Sequence, residues 1–208
     1  MKRLSIFITL IYLFSAGLSL YAQSGSPQIL YEVNVLNYMD DLFHVTIYSE
    51  GLNQENNIYN LPSTVPGTYT NLDFGRFVKS FTAYDEKGNE LAVEHISTNR
   101  WQISDVDKLS KIEYDIEDTF DAEVTEHKVI PMGGTGINED YIVLNTFGVI
   151  GFFEGLQSLP VKMKLEYNPD WIVGTSLQLD DDGYYTAESY DYFADSPILM
   201  GELTTATT

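Results

Sequence analysis

Val161-Lys162-Met163-Lys164-Leu165-Glu166-Tyr167 alternates apolar and charged side chains up to its closing tyrosine. In an extended chain successive side chains point to opposite faces. Val161, Met163, Leu165 and Tyr167 therefore share one face, and Lys162, Lys164 and Glu166 the other, the pattern of a half-buried antiparallel strand that is wet on one side. The same period recurs over residues 30–35, 43–48, 77–84, 91–95 and 111–116, while helical periodicity is nearly absent. Asp85-Glu86-Lys87-Gly88-Asn89, Asn168-Pro169-Asp170 and Asp182-Gly183 separate the runs with turn-forming residues. The 15 tyrosines and 11 phenylalanines suit pleated, half-buried surfaces. The expected fold is all-β, an antiparallel β-sandwich or saddle, with at most one short helix, around residues 153–159.

A second stretch specifies one particular bend: Leu61-Pro62-Ser63-Thr64-Val65-Pro66-Gly67-Thr68-Tyr69-Thr70-Asn71-Leu72-Asp73-Phe74-Gly75-Arg76-Phe77-Val78. Pro62 and Pro66 fix φ and push the residues before them toward extended geometry. Gly67 can take the positive φ that a type II turn demands after proline. Arg76 reads in two ways, as a fork for a carboxylate beside a cleft or as a lock on the turn through Asp73, Phe74 and Phe77; the second is favoured.

This segment resembles the Leu-Pro-x-Trp-x-Pro-Gly-x-Tyr signature and following Asp-Phe-x-Arg-x-Val stretch of the N-terminal domain in the glycyl aminopeptidase family of zinc metallopeptidases. Thr64 stands where that family usually has tryptophan. Tyr190-Asp191-Tyr192-Phe193-Ala194-Asp195-Ser196-Pro197-Ile198-Leu199-Met200-Gly201 is similar to the family's boundary segment. Phe81-Thr82-Ala83-Tyr84-Asp85, Gly88 and Trp101 give a weaker match in between. The resemblance runs over residues 31–201. It implies a non-catalytic N-terminal β-domain that shapes a substrate cleft, with a thermolysin-like zinc domain downstream that removes glycine or alanine from peptide N-termini. Leu61, Pro62, Pro66, Gly67, Tyr69, Asp73, Arg76, Asp191, Asp195, Ser196 and Pro197 carry the family pattern as structural or cleft-forming residues. The implied partners are the downstream catalytic domain of the same polypeptide and a peptide substrate. Zinc is implied for that missing domain, and no cofactor for this chain.

The ends fit an exported protein. Lys2 and Arg3 precede an apolar run to Leu20 and then Tyr21-Ala22-Gln23, which reads as a signal peptide, residues 1–22, cleaved after Ala22. The run is shorter than a spanning helix and is broken by Ser5, Thr9, Ser15, Gly17 and Ser19, so no membrane span is expected after cleavage. Localisation is expected to be periplasmic or extracellular. Residues 23–201 form the expected domain and residues 202–208 the start of the catalytic domain. With 0 cysteines, stability has to come from packing. Cleavage removes two of the 11 basic residues, Lys2 and Arg3, and leaves 9 against 31 acidic ones, a formal charge of −22. Nucleic acid and anionic lipid both need a cationic footprint, and this surface offers the opposite.

Catalytic patterns are missing. A zinc peptidase of this kind places His-Glu-x-x-His on a helix, whereas His44, His95 and His127 are scattered. There is no Gly-x-Ser-x-Gly elbow. Asp180, Asp181 and Asp182 precede a glycine turn and lack calcium-loop spacing. Pro131-Met132-Gly133-Gly134-Thr135-Gly136 reads as a loop that reaches toward a neighbouring domain rather than a phosphate cradle. The rival reading is a free-standing secreted β-sandwich that binds protein or carbohydrate through Trp101 and Trp171. Both tryptophans read better as core.

Overall fold

The structure is a computed structural model that describes residues 26–64, 67, 70–123 and 127–204. The signal-peptide reading of residues 1–22, Pro66 and Tyr69 of the bend, and residues 205–208 lie outside the described residues.

One eight-stranded sheet carries the fold. Its order is β14 (Gln178–Leu179), β15 (Tyr185–Ala187), β12 (Val161–Glu166), β1 (Gln28–Asn34), β2 (Leu42–Glu50), β8 (Leu109–Glu117), β4 (Val78–Asp85) and β5 (Glu90–Leu91). A four-stranded sheet runs β13 (Ile172–Thr175), β16 (Ile198–Gly201), β10 (Tyr141–Leu144), β9 (Gly136–Ile137). A third runs β11 (Phe152–Phe153), β3 (Ile58–Asn60), β7 (Arg100–Ile103), β6 (Val93–Ser97). The all-β expectation is borne out, and each alternating run of the sequence lies largely in strand, with Val35, Phe77 and Tyr167 just outside. Residues 91–95 divide at Ala92 between β5 at the edge of the large sheet and β6 in the third.

Alternation also predicts the buried face. Phe43, Val45 and Ile47 of β2, Ile112, Tyr114 and Ile116 of β8, Tyr31 and Val33 of β1, and Val161, Met163 and Leu165 of β12 are all buried. Lys162 and Lys164 are exposed on the other side. The dry face joins the two smaller sheets in one continuous core. Aromatics form the seam: Phe81 of β4 stacks on Trp101 of β7 with centroids 5.0 Å apart, and Tyr59 of β3 meets Phe153 of β11 edge-on at 5.3 Å. Trp101 and Trp171 are both buried, as core residues should be.

Two features depart from expectation. β1 and β12 pair in parallel, with Leu30 opposite Lys162 through Asn34 opposite Glu166. Period-two patterning fixes which face is buried but not the direction of the neighbour, and a parallel pair needs only a long enough crossover. The helices also differ. Among the described residues two short α-helices are present, α1 (Thr146–Val149) and α2 (Tyr190–Ala194), and neither occupies residues 153–159. That stretch holds part of β11 and turns, with Gly155 at φ +82. Ser189 starts α2, its Oγ accepting the Tyr192 N–H at 3.3 Å. Among the described residues no helix is long and apolar enough to cross a membrane.

On the wet face His44 of β2 lies between two carboxylates. Nδ1 is 2.6 Å from Asp115 Oδ1 and Nε2 is 3.0 Å from Asp40 Oδ2, while Ser80 Oγ donates to Asp115 Oδ2 at 2.7 Å. Only the imidazolium has a proton for both contacts. Partial burial lowers the His44 pKa, but the bonds and charges of Asp115 and Asp40 outweigh it and the net shift is upward. A raised folded pKa gives stabilisation that is complete below the unfolded value near 6.5 and is lost as pH rises through the folded one. Asp115, held below its ordinary value against its own partial burial by Ser80 and His44, loses its share only in acid. His44→Asn should therefore lower the unfolding free energy, measured by urea denaturation, more at about pH 5.5 than at about pH 9, by about 0.5 kcal/mol for so open a pair. Equal deficits at the two pH values would mean that the ring is uncharged in the fold.

Candidate functional site

The bend is a loop closed at its base. The Leu72 and Asp73 N–H groups both donate to the Ser63 carbonyl, at 2.7 and 3.1 Å, and the Phe74 N–H donates to Pro62 at 3.3 Å. The chain thus leaves after Thr64 and returns at Leu72. Leu61, Leu72, Phe74 and Phe77 fix both limbs in the core. At the tip Gly67 has φ +89, the sign that the Pro-Gly turn requires.

Asn99, in the turn between β6 and β7, locks this loop. Its Nδ2 donates to Asp73 Oδ1 at 2.8 Å, its Oδ1 accepts the Gly75 N–H at 2.9 Å, and its carbonyl accepts the Leu61 N–H at 2.9 Å. Gly75 leaves the room for this: a Cβ there would lie 2.0 Å from the Thr98 carbonyl oxygen. Asp73 itself adopts φ 49, a left-handed conformation that aspartate tolerates. The Arg76 guanidinium lies 4.8 Å over the Phe77 ring, Nη2 donates to the His127 carbonyl, and its backbone N–H closes on Asp73 at 3.1 Å.

The second family segment supplies α2 and the entry to β16. Tyr190 is buried and donates to the Ile150 carbonyl at 2.6 Å. Ser196 is buried, its Oγ donating to the Tyr192 carbonyl at 2.8 Å and accepting from Ser176 Oγ at 2.9 Å. Asp195 and Pro197 are exposed in the turn, away from the concave face.

The two segments meet. Leu61, Pro62 and Thr64 from the first and Tyr190, Asp191 and Ala194 from the second line one open concavity of about 520 Å³. Asn60, Asn99 and Arg100 line it too. Arg100 is already engaged, Nε donating to Asn60 Oδ1 at 3.1 Å and Nη2 to Glu154 Oε2 at 2.7 Å. Asp191 is thus the lining anion, exposed and with no ion pair to a described residue. Thr64 is exposed on the rim, so the absence of an indole leaves no hole in the core. Hydroxyls and amides surround Asp191, but no histidine lines the concavity to act as a base at neutral pH.

The histidines do not assemble a zinc site. His44 is held by carboxylates, and His95 stacks on Trp101 at 4.7 Å with Nε2 3.2 Å from the Thr98 carbonyl. His127 is exposed at φ 48. Among the described residues one cluster of ligand-type side chains could hold an ion, Asp41, Asp118 and Asp121, and it is all carboxylate. Burial and the neighbouring Asp121 push the Asp118 pKa up to about 7. Asn99 and this cluster escape sequence reading, the first because it looks like any turn residue, the second because Asp41 is far in the chain from Asp118 and Asp121.

An all-β domain with one open concavity where its two motif segments meet is what the fold and the site define. The family model described as Peptidase M61 N-terminal domain matches residues 30–202. The chain belongs to that family, as the segments at residues 61–78 and 190–201 predict, and is the N-terminal domain of an M61 peptidase. No curated protein matches it in sequence. Among solved structures, an aminopeptidase N family protein from Idiomarina loihiensis shares the fold with a TM-score of 0.73 at 24% identity, covering 85% of this chain and 30% of its own. This chain thus spans under a third of that protein's length. A mutant of a two-domain M1 zinc metallopeptidase bound to L-tryptophan gives a TM-score of 0.42 at 8% identity, with 83% of this chain and 41% of the other covered.

Proposed function

We propose that this domain walls one side of the substrate cleft of an exported zinc aminopeptidase, with metal and catalytic groups on a downstream domain, and is catalytically silent alone. The observation that carries this reading is the meeting of two family segments, far apart in the chain, around one concavity whose free charge is the Asp191 carboxylate. A peptide's N-terminal ammonium is the complementary group, and an acidic wall raises its local concentration. Export rests on the charged, apolar and small-residue pattern of residues 1–22.

In the longer polypeptide, Asp191→Asn should raise KM for unblocked peptides by about 3- to 10-fold, the scale of one partly solvated charge contact, with kcat nearly constant. The Tm should hold, since Asp191 is an exposed site whose side chain bonds no described residue. An unchanged KM would place the concavity away from the cleft. Peptide hydrolysis or stoichiometric zinc in the 208-residue chain alone would overturn the non-catalytic reading.

A further inference from the structure

Asp41 and Asp118 come together because of strand register. Leu42, the first residue of β2, pairs with Glu117, the last of β8, so Asp41 and Asp118 flank that terminal pair at one end of the sheet. Asp121 joins them from the loop that leaves β8. One carboxylate oxygen from each residue lies within 4.8 Å of the other two.

Asp118 is the unusual member. The residue is 1% exposed. Its Oδ2 accepts the Ile137 N–H at 2.7 Å, while Oδ1 is sealed from solvent with no N–H donor, and the side chain that Asp118 meets is another acid, Asp121. A buried carboxylate oxygen without a donor is costly, and a protein keeps one only where something else satisfies it. The strongest charges acting on these groups do not help: Asp121, Glu117 and Asp40 act on Asp41, and Asp41 and Asp121 act on Asp118. Three acids gathered with a sealed, donorless oxygen lack a positive charge.

From this geometry we infer that Asp41, Asp118 and Asp121 bind a calcium ion that ties the end of the β2–β8 ladder to the loop leading to β9. Oxygen-only donors point to a hard cation and away from zinc. Ligands at about 2.4 Å from calcium can be at most about 4.8 Å apart, and the three oxygens fall within that limit. Magnesium holds its ligands at about 2.0–2.1 Å in a strict octahedron and keeps several waters, a poorer match to a sealed carboxylate. The ion would act structurally. Through Asp118 it would brace the segment whose Thr119 Oγ1 accepts the Thr135 N–H at 2.8 Å. The site is separate from the concavity, and it departs from the sequence expectation that this chain takes no cofactor.

The test uses the full chain, stripped with chelator and titrated with calcium chloride by calorimetry near pH 7.5. One ion per chain should bind with a Kd below about 1 mM, the range of extracellular calcium modules. The Tm should rise by about 4 °C in about 5 mM calcium and by much less in equal magnesium. Asp121→Asn, at an exposed position that leaves the fold intact, should abolish the shift, and so should Asp41→Asn. Asp181→Asn, in the acidic turn elsewhere, should keep it. Absence of binding at about 10 mM calcium would overturn the site. An undiminished shift in Asp121→Asn would overturn it as well, assigning the effect to the diffuse acidic surface. Asp191 kinetics are independent of either outcome.

Discussion

Alanine at position 151 is expected to destabilise the domain by about 4 kcal/mol or more, lowering the Tm by about 10 °C or more. A Cβ on Gly151 would lie 2.0 Å from the Asn60 carbonyl oxygen, 2.8 Å from its carbon and 3.0 Å from the Tyr59 ring. Backbone atoms cannot swing aside as a side-chain tip can. Relief means separating β11 from β3, where Phe152 pairs with Asn60 and Phe153 with Tyr59. Asn60 and Phe152 also line the concavity, so its wall would open with the core beneath it. Gly183→Ala is the natural control. Gly183 has φ +84 but open space around its Cβ position, so alanine there meets only the left-handed penalty of about 1–2 kcal/mol. Urea unfolding of the two variants separates the causes. Similar losses would show that Gly151 matters for backbone freedom rather than for close approach.

Much of this architecture is legible in the chain. β2, β8 and β12 announce themselves because each has a wet and a dry face, and alternation records that difference residue by residue. Gly67 is legible because a Pro-Gly pair constrains φ from both sides. The parallel pairing of β1 with β12 is not, since direction is set by how the chain between them crosses over. α2 lies within the second family segment, yet five residues carry no helical period, and the Ser189 cap is its only local signal. The concavity is half-legible. Its lining residues stand in the two motifs, but the agent that sets the first against the core is Asn99, through bonds to Leu61, Asp73 and Gly75 that no sequence spacing encodes. Asp41, Asp118 and Asp121 read as part of a general acidic coat because only the β2–β8 register brings them together.

Tyr114→Phe is expected to cost about 2–4 kcal/mol, more than the loss of one hydroxyl would suggest. Three consecutive residues, Val149 to Gly151, are held by buried tyrosines: Tyr114 donates to the Val149 carbonyl at 2.7 Å, Tyr190 to the Ile150 carbonyl at 2.6 Å, and the Gly151 N–H donates to the Tyr59 oxygen at 2.8 Å. The Tyr59 and Tyr114 hydroxyls are 3.1 Å apart. Each phenol has one hydrogen, and that of Tyr114 is committed to Val149, so Tyr59 must donate to Tyr114. Burial raises the pKa of both phenols, which keeps the hydroxyls neutral and able to donate. Removing the Tyr114 oxygen thus strands the Tyr59 proton and the Val149 carbonyl together, both shut off from water. Tyr190→Phe strands one carbonyl and should cost about 1 kcal/mol. Tyr59→Phe strands the Gly151 N–H, and in the double variant with Tyr114→Phe the Tyr59 proton no longer needs an acceptor. The two losses should therefore sum to about 1 kcal/mol more than the double variant shows. Urea midpoints for the four variants measure this directly. Strict additivity, or a Tyr114→Phe loss no larger than that of Tyr190→Phe, would mean that the hydroxyls do not form a relay.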